Sequence, residues 1–91
     1  MDEKFLNLKE NILNNIYILK INYNNLVENG MMDPNSNLYN KIDYLIDELD
    51  AADTFEALSE IINTGKNIES QLESFFILKG QSTISLTWPI I

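Results

Sequence analysis

The chain has 91 residues, 45% of them hydrophobic, and a formal net charge of −8. That length supports one small core, and that apolar fraction is enough to fold the chain rather than leave it disordered. There is no histidine, cysteine or arginine, which excludes the usual zinc sites, thiolate and imidazole chemistry, and guanidinium clamps on phosphate.

The acidic balance also bears on partners. Nucleic acid and anionic membrane surfaces draw much of their protein affinity from basic side chains, so neither is expected here. A partner protein with a basic surface fits better, because complementary charge speeds encounter. No apolar run approaches the roughly 20 residues of a bilayer span. Met1, Asp2 and Glu3 make an acidic start unlike that of a signal peptide. With the lack of cysteine, this predicts a cytoplasmic protein.

The first helix is expected over about 3–28. Phe5, Leu8, Ile12, Ile16, Leu19, Tyr23 and Leu26 fall every three or four residues and form one apolar stripe. Leu6, Leu13, Tyr17 and Val27 widen it, and Ile18 and Ile21 broaden it further, which predicts cover on more than one side. Seven asparagines fill much of the remaining face. They are mediocre helix formers, so packing must hold this element. Asn29-Gly30 supplies the stop, since both residue types tolerate the left-handed conformation.

Asp33-Pro34 opens a second helix, expected over about 34–50, with Leu38, Ile42, Leu45 and Leu49 as its seam. Met31 and Met32 between the two helices are expected to plug a bundle end. Asp53, followed by Glu56 three residues later, reads as a capping box for a third helix over about 53–78. Phe55, Leu58 and Ile62 begin its stripe; Ile61, Ile68, Leu72 and Phe75 continue it out of phase across Gly65. Glycine costs roughly 1 kcal/mol against alanine inside a helix. It therefore either ends a helix here or sits where a neighbour comes close, and a continuous helix kinked at this point is expected. Matched helix lengths and short connections predict an all-α fold, an antiparallel three-helix bundle over residues 1–80.

After Lys79-Gly80 the pattern changes to strict alternation. Ile84, Leu86 and Trp88 lie on one side, Thr83, Ser85 and Thr87 on the other, followed by Pro89, Ile90 and Ile91. Period two is the signature of a β-strand, and the rest of the chain offers it no partner strand. Pro89 holds Trp88 out of helix and ends any ladder. Residues 81–91 are thus expected to be a C-terminal extended arm. Three fates are open to it: sealing the bundle, adding as a strand to a partner or a second copy, or serving as an enzyme's substrate.

Seven of the fourteen acids, Asp43 to Glu60, lie between Lys41 and Lys66 with no base among them. Carboxylates one helical turn apart occur at Asp43/Asp47, Glu56/Glu60 and Glu69/Glu73. Metal binding or acid–base work would need further ligands and a sheltered pocket, so no catalytic or metal site and no cofactor is expected. Asp33, Asn35 and Asn37 open like a calcium loop, but Leu38 and Tyr44 stand where glycine and the bidentate glutamate belong.

The sequence reads as a small non-catalytic protein-binding module, of adaptor, inhibitor or immunity type. Its expected contacts are an acidic face (Asp43, Asp47, Glu48, Asp50) and the arm (Ile84, Leu86, Trp88, Ile90), with a homodimer through the arm as one possible form. The alternative is a precursor whose helices dock on a modifying enzyme and whose residues 81–91 are modified or cleaved.

Overall fold

In the computed structural model, which describes residues 2–34, 36–78 and 86–91, the chain forms α1 (Glu3–Glu28), α2 (Ser36–Ala51) and α3 (Phe55–Leu78). Each helix touches the other two. Lys9 reaches the backbone of Asp50 and Ala52, Lys20 meets Asp43, and Tyr23 meets Tyr39. Residue numbers therefore fall along α2 as they rise along α1. Phe5 packs edge-on against Phe55, with ring centroids 5.3 Å apart, which puts the starts of α1 and α3 at the same end. The long axis of 43 Å is close to the length of α1 alone at about 1.5 Å per residue.

The helix ends follow local chemistry, with two shifts of frame. Asp2 caps α1, its carboxylate accepting from the Lys4 N–H at 3.0 Å. At the other end Gly30 alone takes the left-handed conformation, with φ 68°, while Asn29 stays at −89°. The N–H of Met31 reaches the Leu26 carbonyl and that of Gly30 the Val27 carbonyl, the paired bonds of a Schellman stop. Asp33 and Pro34 stand ahead of α2 rather than inside it. Thr54, not Asp53, caps α3: its hydroxyl accepts from the Ala57 N–H at 3.1 Å. Moving the cap by one residue puts Ala57 at the position that Glu56 would need for a capping box.

The core is the predicted seam. Ile12, Ile16, Leu19 and Leu26 of α1, Ile42 and Leu45 of α2, and Leu58 and Leu72 of α3 are its fully buried members. Met31 and Met32 pack against it from the first loop. α3 runs unbroken through Gly65 and buries Phe76, whereas Phe75 is only half-buried and Phe55 is 41% exposed. The wider stripe of α1 is covered only in part, with Leu13, Ile18 and Val27 half-buried. Leu6, Tyr17 and Ile21 are all exposed.

The expected strand also differs. Among the described residues there is no strand, and 86–91 form a non-helical segment lying on the bundle. Ile84, with Thr83 and Ser85, lies outside the described residues.

Truncating a seam residue should be costly and truncating a surface ring cheap. Leu45→Ala is expected to lower unfolding free energy by about 2–5 kcal/mol. Tyr44→Ala, at a ring 62% exposed, should change it by no more than about 0.5 kcal/mol. Urea titration followed by circular dichroism distinguishes the two.

Candidate functional site

The acidic face of α2 is divided by its neighbours. Asp43, Asp47 and Asp50 follow one another at helical spacing on the side toward α1, while Glu48 lies toward α3 beside Lys41 and Asn67. Asp43 is not available as a free carboxylate, because Lys20 Nζ lies 2.7 Å from its Oδ1. The same ammonium stands 5.4 Å from the Tyr39 ring centroid. Its hydrogen bond to Asp43 holds Lys20 above the ordinary lysine value of 10.5, against the opposing effect of desolvation. Among the described residues this is the single ion pair.

Lys9 is engaged differently. Its ammonium donates to the carbonyls of Asp50 and Ala52, at 3.2 and 3.1 Å, and stands 5.8 Å from the Phe5 ring centroid. α2 has no basic residue in its last turn. Lys9 supplies from α1 the positive charge that the negative end of a helix favours. Asp47 and Asp50 thus face solvent, and among the described residues their carboxylates are outside any ion pair.

Between α1 and α2 these acids border a groove of about 370 Å³. Leu13, Tyr17, Ile46 and Leu49 make its apolar lining, and Glu10, Asp47 and Asp50 an acidic edge that also includes Lys9, whose ammonium is held on the Asp50 and Ala52 carbonyls. Of the exposed apolar residues of α1, Tyr17 lines this groove, whereas Leu6 and Ile21 are exposed outside its lining. It is an apolar trough with negative banks.

A second constellation lies between α1 and α3. Asn15 is 4% exposed, and its amide brackets one residue of the tail. Oδ1 accepts from the Thr87 N–H at 3.0 Å, and Nδ2 donates to the Thr87 carbonyl at 3.0 Å. Nδ2 is also within reach of the Asn11 carbonyl and side-chain oxygens. A carboxamide carries a donor and an acceptor side by side, so it can meet both polar groups of one peptide residue, as a neighbouring strand would. Beyond it, the Trp88 indole lies over Gly65, and its Nε1–H donates to Glu69 Oε1 at 3.0 Å. A Cβ at position 65 would stand 2.8 Å from Trp88 Cζ2. Gly65 is therefore the close approach its sequence signalled, and Trp88 is the neighbour.

The arm residues separate accordingly. Leu86 and Trp88 are half-buried against the core, whereas Ile90 is 97% exposed. Glu69, read as half of a carboxylate pair, is the indole's acceptor. Among the described residues no three potential metal ligands gather. Asn15 was not singled out by its sequence, yet a signal existed. Asn15 and Asn22 lie seven residues apart within the apolar stripe, and both are buried.

No protein-family model, curated protein or solved structure matches this chain significantly.

Two outcomes follow from this chemistry. Asn15→Ala leaves both polar groups of Thr87 without their partner, a loss of about 1–3 kcal/mol if they stay buried, and it should speed amide exchange at Thr87. Urea unfolding and hydrogen-exchange NMR measure both. The Lys20–Asp43 pair sets a pH dependence. A lysine raised above 10.5 in the fold stabilises fully below that value and loses the contribution as pH climbs through the folded-state value. As pH rises above 10.5, urea midpoints of the wild type should fall more steeply than those of Lys20→Met.

Proposed function

We propose that the chain is a non-catalytic protein-binding module that receives a basic, amphipathic segment of a partner protein in the α1/α2 groove. The observation that carries this is an apolar trough with an exposed ring in it, beside carboxylates that form no ion pair among the described residues. Tyr17 is 47% exposed within the trough beside Leu13 and Ile46, and Glu10, Asp47 and Asp50 border it together with Lys9, whose ammonium is occupied by backbone carbonyls. Apolar side chains of a partner would fill the trough. Its lysines or arginines would meet the banks and hasten encounter. The net charge of −8 extends that attraction beyond the groove itself.

This reading puts Asp47 and Asp50 at the centre of the acidic face, leaves Asp43 a structural role with Lys20, and makes Glu48 peripheral. The arm contributes to the module first by closing the α1/α3 side. For the precursor alternative, in which residues 81–91 are the substrate, an enzyme acting at Leu86 or Trp88 would have to lift those two side chains from the bundle.

The test uses a synthetic lysine–leucine amphipathic peptide as probe, followed by NMR shifts on the labelled full chain. Shifts should concentrate at Leu13, Tyr17, Ile46 and Asp47. Asp47→Lys with Asp50→Lys should weaken binding by about tenfold or more and flatten its salt dependence, while Glu48→Lys should change it little. Equal losses from both variants would reduce the effect to net charge and overturn the groove.

A further inference from the structure

The Asn15–Gly65–Glu69 seat recognises very little of what occupies it. Asn15 engages only the backbone N–H and C=O of Thr87, and the Thr87 side chain points into solvent. Gly65 and Glu69 engage only the indole of the next residue. Nothing in this set of contacts requires that the bound peptide belong to the same chain. We propose that the seat is a receptor for a tryptophan-bearing peptide segment of another polypeptide, and that the chain's own tail is the resident occupant that such a segment displaces. This site is separate from the α1/α2 groove and stands or falls independently of it.

Two observations favour displacement over permanent closure. Leu86 and Trp88 stay half-exposed while seated, and Ile90 beyond them stands almost wholly in water. The tail is therefore held by the Asn15 bracket, one indole bond and partial burial, the pattern of a segment that opens locally. The recognition is also specific in a simple sense. The gap over Gly65 admits a flat ring, and Glu69 provides an acceptor one helical turn further on for a ring N–H, which phenylalanine lacks.

Trp88 is the one tryptophan in the chain, which makes the test direct. The full-length Trp88→Ala variant contains no indole, so an acetylated peptide with the sequence of residues 81–91 brings the only tryptophan signal. Titration should give a saturable blue shift of its emission. Adding Gly65→Val to that variant should weaken binding by about tenfold or more, because the slot is then filled. The wild type should bind a fluorescein-labelled copy at least about tenfold more weakly than Trp88→Ala, since a tethered competitor acts at roughly millimolar effective concentration. A second copy as the source of the segment would appear in sedimentation as a wild-type dimer that Trp88→Ala dissolves. The proposal fails if helical, folded Trp88→Ala gives no saturable shift, or if Gly65→Val leaves the affinity unchanged. Should Trp88→Ala not fold, Trp88→Phe keeps a ring in the slot without its N–H, and the same titration decides.

Discussion

Three helices enclose a seam, but a bundle this small leaves the valley between α1 and α3 open to water unless something lies in it. Asn15 sits in that valley within an otherwise apolar stripe. A buried carboxamide is costly unless its donors and acceptor are used, and a tail without a partner strand has the same need. The Asn15–Thr87 exchange answers both at once. Among the described residues no buried side-chain nitrogen or oxygen lacks a partner. With the tail's backbone held there, Trp88 comes down over α3, and the absence of a side chain at position 65 becomes a requirement rather than a weakness of the helix.

The same economy governs charge. Six basic residues face fourteen acids, so each lysine placed on a structural task alters what the surface shows. Lys9 ends α2 by holding its last carbonyls, and Lys20 neutralises Asp43 while resting near the Tyr39 ring. Both lysines lie on α1, and both act on α2. They fasten the two helices together and leave the carboxylates of Asp47 and Asp50 facing water. The negative bank of the α1/α2 groove is thus a by-product of how the bundle is tied.

The chain carries two grooves of different character on either side of α1. One is lined by aliphatic and tyrosine side chains, with three carboxylates and Lys9 at its edge. The other is lined by an amide, a glycine and one glutamate, and is already filled. A surface that draws in a basic segment and a seat that holds an indole would use distinct chemistry, so one helix can present both without either compromising the other.

The three helices, most of the seam and the stop at Gly30 were legible in the sequence. They arise from backbone geometry repeating every few residues and from groups that find their partners within one turn. The cap of α3 slipped by one residue because Thr54 and Asp53 are both competent, and only the packed path of the chain selects between them. Phe76 over Phe75, the exposure of Leu6 and Ile21, and the division of Asp43 from Asp47 depend on where neighbouring helices lie. Residues 86–91 are non-helical, but the strand that the alternation before Trp88 predicted does not form among the described residues. The destination of this segment was not readable, because the amide that receives it is 72 residues away in the chain. Local pattern determined which segments become rods; the tertiary fold alone decided which polar group would meet the tail, since that choice is made by burial and proximity across the bundle.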